Sequence, residues 1–508
     1  MIQATLNDCL RALIGVCLRM AGALAEIRHR IRARGHMYSR ARLRRRLGIR
    51  PETPLTTELP QVGLPGNRPP AGSASVVYTS GTGGDPKLLV YCRRRLATVR
   101  WVFIESFMRV FWMLGVRRTS LYVFGPLEGD ESLTGLLLSE KRLPSYLTTL
   151  QAPYRMHACP ELRRLVEAYG VAAVRLWILA LSNPGVLYST NPSTMSAFLD
   201  RLDSDWERCS ALARDCVLNP ERVGSLALTV TRRLGSRGYA ERLEAIATSR
   251  TSVPITVWAP AASVYICWTG GYVVPFLDRL AKHLPAGRFR LVPMYSMSTE
   301  TIATVPDFRA ADLAFLPMAP GIYYEFLLPG SPREPRRLLS PEQLALGASY
   351  ELVVSHSHGL RRYCTEDVFK VERFVGKMPD LRFERRRGLT YSFTGEKLTG
   401  EQALLAYARL RKAFPELSDD YALTCFPSQQ PAASLPHYRL VIVHSDPWDI
   451  GPLRALAERF DAFLGELNLE YHAKRESGRL GGVRLERLDL PALRARLPDG
   501  GAAAMALT

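Results

Sequence analysis

The segment Tyr78-Thr79-Ser80-Gly81-Thr82-Gly83-Gly84-Asp85-Pro86-Lys87 constrains this chain more than any other. It follows Ala74-Ser75-Val76-Val77-Tyr78, an apolar, β-branched run that reads as a strand. The chain must therefore leave a sheet through a turn dense in glycine and hydroxyl groups and reach a lysine at the far edge. Glycines let a backbone fold tightly enough to aim N–H groups at an anion, and the hydroxyls of Thr79, Ser80 and Thr82 add donors. Lys87 supplies compact positive charge suited to phosphate oxygens. On composition alone, a flexible turn with an incidental lysine fits equally well. A Walker loop does not, because the G-x-x-x-x-G-K-[ST] spacing is absent.

The chain has 508 residues, 47% apolar and 23% charged. At roughly 100 to 200 residues per domain this allows two to four domains with full cores, and it excludes a disordered, collagenous or mini-protein chain. Nine cysteines, at 9, 17, 92, 159, 209, 216, 267, 364 and 425, include no C-x-x-C pair. Neither a disulfide framework nor a zinc knuckle is suggested, and a reducing cytoplasm is the expected location. Fifty-nine arginines against eight lysines read as GC-rich coding, so a lysine inside a motif carries information.

Net charge is +19, and the first fifty residues hold twelve arginines against Asp8 and Glu26, or +10 of it. Leu10, Leu13, Ile14, Cys17, Met20, Ala21, Leu24, Ile27 and Ile31 follow the spacing of one apolar helix stripe. Arg11 and Arg19 interrupt it, so no transmembrane segment is expected, and the charge follows the apolar stretch instead of leading it as in a signal peptide. The ten arginines from Arg28 to Arg50 read either as a solvated basic face on a helix packed against the body or as a contact for an acidic partner or anionic surface. No aromatic ladder accompanies them, so no specific nucleic acid is expected. No internal repeat or heptad is read from the sequence. Residues 1–50 form a basic helical region, and Pro51 to Gly72 reads as an extended connector.

From Ala74 to about Phe374, strand-like runs such as Leu121 to Phe124, Val186 to Tyr188 and Tyr350 to Ser355 alternate with helical stretches such as Ser193 to Cys216 and Tyr272 to His283. That is an α/β pattern. Further on, helix Gly400 to Phe414, strands Tyr421 to Phe426 and Tyr438 to His444, helix Gly451 to Leu467 and strand Gly482 to Leu488 make a smaller α+β unit. The division expected is 51–390 for the large domain and 391–508 for the small one.

Four blocks recur in order. After the loop come Trp258-Ala259-Pro260 with Ile266-Cys267-Trp268-Thr269-Gly270-Gly271, then Tyr295-Ser296-Met297-Ser298-Thr299-Glu300, then Gly359-Leu360-Arg361-Arg362-Tyr363-Cys364-Thr365-Glu366-Asp367-Val368. This order resembles the adenylate-forming enzymes: acyl-CoA synthetases, luciferases and amide-forming ligases. The wording is most similar to one branch, the acyl acid amido synthetases named after the auxin-responsive Gretchen Hagen genes, which also has bacterial members. Tyr323-Tyr324-Glu325-Phe326-Leu327-Leu328-Pro329 resembles its Y-F-E-F-L-P segment, and Leu381 to Arg387 with Gly395-Glu396-Lys397-Leu398-Thr399 resembles its hinge. The likeness runs from about residue 70 to about 490 and implies a large domain with a barrel, flanking sheets and helices, followed by a mobile small domain.

What the resemblance implies is specific. Thr79 to Gly84 and Lys87 would cradle the phosphates of ATP, and Tyr295, Ser298 and Thr299 would contact adenine and phosphate. Glu300 would serve a magnesium ion, Asp367 would accept from the ribose hydroxyls, and Arg386 and Lys397 would act from the hinge. The reaction implied joins a carboxylic acid to an amine, an amino acid in this branch, through an acyl adenylate. Transfer to a thiol, as in acyl-CoA synthesis, is the alternative enzyme reading, and a degenerate, non-catalytic interaction protein is the third.

Several residues depart from the pattern or admit plainer readings. Gly83 stands where a second hydroxyl is usual, Tyr295 lies five residues before Glu300 instead of four, and Glu366 replaces a glycine, adding negative charge beside the ribose aspartate. No lysine follows Lys474. Asp367 also reads as a turn aspartate, Lys397 as an exposed hinge lysine and Glu300 as a helix-start carboxylate. His356 and His358 lack a third metal ligand in the sequence pattern and read as structural. Trp101, Phe103, Phe107, Phe111 and Trp112 read as core or as one wall of an acyl pocket.

Overall fold

In the computed structural model the residues described are 2–57, 74–78, 88–124, 133, 137, 160–269, 274–284, 287–294, 300–309, 313–356, 359–386, 390–415, 417, 421–425, 435–443 and 450–488. The chain is mixed α/β and divides into two compact units, the first Met1–Tyr78, Leu88–Gly270 and Leu280–Arg385, the second Arg386–Thr508 together with Thr79–Lys87 and Gly271–Arg279.

The first unit opens with a 45-residue helix, α1 (Ile2–Arg46). An antiparallel pair follows, β1 (Ala74–Tyr78) and β2 (Leu88–Cys92), with Ala74 opposite Cys92 and Tyr78 opposite Leu88, and then α2 (Arg93–Met113). A four-stranded parallel sheet runs in the order β3 (Leu121–Val123), β4 (Val186–Tyr188), β5 (Val264–Cys267), β6 (Arg290–Pro293). β4 and β5 are buried at every position, which is why they read as unbroken apolar runs instead of alternating ones.

Between β4 and β5 lie helices Pro192–Ser204, Trp206–Leu218, Pro220–Leu234 and Tyr239–Thr248. The single helix expected from Ser193 to Cys216 is two, because Asp205 leaves helical geometry at φ −145° and ψ 53°. A short antiparallel pair, β7 (Val305–Asp307) and β8 (Ala314–Leu316), precedes the second large sheet. That sheet is antiparallel throughout: β9 (Ile322–Leu327), β10 (Ser349–His356), β11 (Tyr363–Val375) and β12 (Met378–Arg386). Its residues Phe326, Leu352, Val354, Phe369, Val371 and Leu381 belong to one extensive buried apolar cluster.

Packing of α2 settles the aromatic run. Phe107 and Phe111 are buried against the parallel sheet, with the Phe107 ring 5.7 Å from Tyr188 and 4.8 Å from Phe103. Trp101 and Trp112 are 44% and 46% exposed, so the five do not form one wall.

In the second unit β13 (Thr390–Tyr391) and β14 (Leu398–Thr399) pair, and Thr399 caps helix Gly400–Ala413 through a capping box with Gln402. β15 (Tyr421–Cys425), β16 (Tyr438–Val443) and β17 (Arg484–Leu488) form a three-stranded sheet, antiparallel then parallel. Helix Ile450–Leu467 is followed by helix Leu469–Glu476, whose start is fixed by the Asn468 side chain accepting from the Tyr471 N–H. Leu410, Leu440, Leu456, Phe460 and Tyr471 form this unit's core.

α1 overturns one expectation. It packs along α2, but the apolar stripe does not face the body: Leu10, Leu13, Met20, Leu24, Ile27 and Ile31 are 43 to 69% exposed. The buried face instead carries Asn7, Arg11, Gly22, Ala25, Glu26 and His29. The reason is chemical. Carbonyls at the end of helix Pro220–Leu234 need donors, and Asn7 and Arg11 supply them, reaching Gly235 O at 2.9 Å and Leu234 O at 2.6 Å. Glu26 receives Arg109 at 2.8 Å, and Gly22 lies where a Cβ would fall 2.1 Å from the Met108 carbonyl oxygen.

Candidate active site

Two of the expected site residues sit in the first unit beside β10. At its end, Arg95 of α2 donates through Nη2 to the backbone carbonyl of Glu300 at 2.7 Å and lies 3.2 Å from His356 Nε2. The same guanidinium stacks over the Tyr91 ring at 4.1 Å. Burial pushes the Tyr91 phenol up to about 12, so it stays neutral at physiological pH. Glu300 is thereby held at the backbone, with its side chain 9% exposed. His356 is a buried member of this group, and His358 lies outside the described residues.

Toward the other end of β10, the ladder with β11 breaks its register: Glu351 faces Val368 while Val353 faces Cys364. Thr365, Glu366 and Asp367 therefore bulge opposite the single Leu352. Thr365 Oγ1 donates to the Leu352 carbonyl at 2.9 Å and accepts the Asp367 N–H at 3.2 Å, which sets the half-buried Asp367. Glu366 has φ +64°, the left-handed backbone that glycine adopts freely, which accounts for the glycine of the resembled motif. Its carboxylate turns onto Arg333, 3.0 Å away, and Arg333 also meets the buried Glu351 at 3.3 Å. Leu352 and His356 are four residues apart, so the two groups lie roughly 13 Å from each other along β10.

The motif arginine Arg362 joins both family-like segments. At φ +45° and buried, it forms a bidentate pair with Glu325 of β9, Nε to Oε2 and Nη2 to Oε1, both at 3.0 Å. Its remaining donors take the carbonyls of Pro51 and Thr53 at 2.9 and 2.7 Å, tying the start of the connector to the sheet. Tyr324 is fully buried and donates to the Ile302 carbonyl at 2.9 Å, two residues from Glu300. Trp258 Nε1 donates to Val253 O, and Trp268 packs edge-on against Phe383 at 4.9 Å.

In the second unit the Gly395-Glu396-Lys397 turn is built around Glu396, whose side chain is wholly buried. Its carboxylate accepts the N–H groups of Phe393 and Thr394, the Thr394 hydroxyl and the Tyr438 hydroxyl. Lys397 follows at φ +50°, half-buried, with its N–H 3.3 Å from Ser392 Oγ. A left-handed lysine costs about 1–2 kcal/mol, and the Glu396 clamp fixes it in place. Lys474 pairs with Glu470 at 3.0 Å, and burial lowers its pKa against the pull of Glu470 and Glu396.

Of the remaining expected residues, Thr79, Ser80, Gly81, Thr82, Gly83, Gly84, Lys87, Tyr295, Ser298 and Thr299 lie outside the described residues, and Arg386 is placed only as the last backbone position of β12. Among the described residues no three His, Cys, Asp or Glu side chains gather as a metal site. A single carboxylate at Glu300 still fits magnesium, which commonly takes one or two carboxylates and fills its shell with substrate phosphates and water. Sequence reading missed Arg95, Arg333 and Glu325. Arg95 is the last of three consecutive arginines, and only its long-range partners distinguish it. A separate cavity of about 580 Å³, lined by Arg40, Arg44, Tyr323, Leu338 and Arg336 among others, contains none of the expected site residues.

The fold is shared with a solved acyl acid amido synthetase. The solved AtGH3.15 acyl acid amido synthetase in complex with 2,4-DB superposes with a TM-score of 0.50 at 15% identity, covering 99% of this chain and 92% of that one. Residues 315–386, which hold β9 to β12 and both motif segments, match the GH3 family central domain. An indole-3-acetic acid-amido synthetase, GH3.17 of Arabidopsis thaliana, is 31% identical over 108 residues, 21% of this chain and 17% of that protein. The 4-substituted benzoates-glutamate ligase GH3.12 of the same plant is 26% identical over 179 residues, 35% of this chain and 30% of that protein. These matches thus span less than a third of the curated relatives' own length. No helix among the described residues is long and apolar enough to cross a membrane.

Proposed function

We propose that this protein is an ATP-dependent ligase that adenylates a carboxylic acid and passes the acyl group to an amine, an amino acid, releasing AMP and pyrophosphate. The observation that carries the reading is the central sheet. The segment matching the GH3 central domain contains the two motifs the resemblance rests on, and Arg362 and Glu325 lock one to the other. The reading takes the protein as a bacterial-type member with a large domain over 51–390 and a small, moving domain over 391–508.

In the first half-reaction a carboxylate oxygen attacks the α-phosphorus and the bond to the β-phosphate oxygen breaks. The enzyme must hold two anions together and neutralise the departing pyrophosphate. Lys87 and the N–H groups and hydroxyls from Thr79 to Gly84 take that role, with Tyr295, Ser298 and Thr299 against adenine and phosphate. Glu300, fixed through Arg95, would hold magnesium, which when bound supplies positive charge against the phosphates. Asp367 accepts from the ribose hydroxyls, and the turn of Glu366 onto Arg333 keeps the extra negative charge off the nucleotide. In the second half-reaction a neutral amine attacks the acyl carbonyl, AMP leaves, and the amine's proton passes to a base. Lys397 is assigned a catalytic role and Arg386 a contact to the nucleotide, and the small domain beyond the hinge they bound closes the site against water, which would hydrolyse the adenylate.

The test is AMP formation by the full chain across carboxylic acids crossed with amino acids and coenzyme A, with products identified by mass. Amide product, lost by roughly a hundredfold or more in Lys87→Ala, supports the ligase. A coenzyme A thioester moves the acceptor to a thiol. No AMP with any pair, in a protein that also fails to bind ATP, overturns catalysis.

A further inference from the structure

On α1, the residues Leu6, Leu10, Leu13, Cys17, Met20, Leu24, Ile27 and Ile31 are spaced 4, 3, 4, 3, 4, 3 and 4 apart, and every one is exposed. Their regular alternation is a coiled-coil seam, and it lies beside the buried face that carries Asn7, Arg11, Ala25 and His29. A soluble monomer rarely shows so long an apolar strip to water, so this strip has a partner.

We propose that the partner is a second copy of the same helix, packed antiparallel. The spacing reads the same from either end, so one two-fold axis between Cys17 and Met20 sets Leu6 against Ile31, Leu10 against Ile27, Leu13 against Leu24 and Cys17 against Met20. An isologous interface requires this self-complementarity. The positions flanking the seam before Arg28 include Val16, Ala21 and Ala23, small enough for close approach. Covering the seam removes roughly 800 Å² from each copy, the size of a standard specific interface.

Charge chooses both the occupant and the direction. An anionic bilayer would draw on the arginine run, but much of that run is engaged within the protein. Arg28 and Arg32 meet Glu105, Arg30 meets Glu26 and Arg40 meets Glu342. The exposed Arg34, Arg42, Arg45 and Arg46 lie beyond the seam's end. Parallel pairing would set two such clusters side by side, whereas antiparallel pairing separates them by the seam, about 37 Å long.

Sedimentation equilibrium of the full chain at micromolar concentration should give a dimer, and the double variant Leu13→Glu/Leu24→Glu should raise its dissociation constant by roughly a hundredfold or more. Both leucines are exposed in the single chain, so the variant keeps the parent's circular dichroism, and its melting temperature loses the concentration dependence that dimerisation gives the parent. In a Cys9→Ser/Cys17→Ser background, Leu6→Cys mixed with Ile31→Cys should cross-link, and Leu6→Cys alone should not. A monomeric parent, or a dimer indifferent to the double variant, overturns the proposal. So does a monomeric parent that floats with phosphatidylserine vesicles while the double variant does not, which would assign the strip to a bilayer.

Discussion

Two buried glutamates fix two turns of this protein by opposite means. In the first unit Glu325 is neutralised by a cation, Arg362, whose guanidinium also reaches two backbone carbonyls. In the second unit the hydrogen-bond donors to Glu396, among the described residues, are two N–H groups and two hydroxyls, with the Lys474 ammonium acting on it only through space. The cation-paired design binds distant segments, since Arg362 and Glu325 are 37 residues apart and the carbonyls at 51 and 53 are further still. The donor-cage design shapes a tight local turn, in which the left-handed Lys397 follows Glu396 with its N–H on Ser392 Oγ.

Breaking the comparison starts with the cation. Arg362→Ala leaves Glu325 buried without a counter-charge and should cost about 3–5 kcal/mol in denaturant unfolding, with the first unit melting earlier than the second. Glu396→Gln turns one cage acceptor into a donor facing donors. A loss of about 2–3 kcal/mol confined to the second unit is expected, read by limited proteolysis around residue 395.

A mixed case sharpens the contrast. Asp307 receives His29 and Arg309, which together hold its carboxyl well below the usual range although burial alone would raise it. Burial lowers the His29 pKa, against the pull of Asp307, with Arg109 and Glu26 also facing it. Below about pH 6.5 the unfolded chain takes up the histidine proton before the folded one does, so stability should fall by up to about 1.4 kcal/mol per pH unit. Asp307 remains charged through that window. His29→Gln should flatten the slope. The smallest effect belongs to Glu366→Gly, where relief of left-handed strain offsets loss of the half-exposed Arg333 pair, and a net change within about 1 kcal/mol is expected.

The sequence made much of the fold legible. The strand at 74–78, the cores of β4 and β10 and the helix at 400 stand where apolar runs and the T-x-x-Q cap place them, within a few residues. Asp367 and Glu300 are singled out by their motifs. What holds them was not, because Arg95 lies 205 residues from Glu300 and no local signal marks that pairing.

By itself, then, the sequence determined the α/β pattern, the order of the motif blocks and the turn chemistry, all of which depend on neighbours along the chain. Tertiary structure alone decided which face of α1 is buried, where Glu366 sends its charge and which arginine anchors Glu300. Each of those depends on the unpaired carbonyls and carboxylates that a distant element presents, and a buried polar group must be satisfied before an apolar stripe can choose its side.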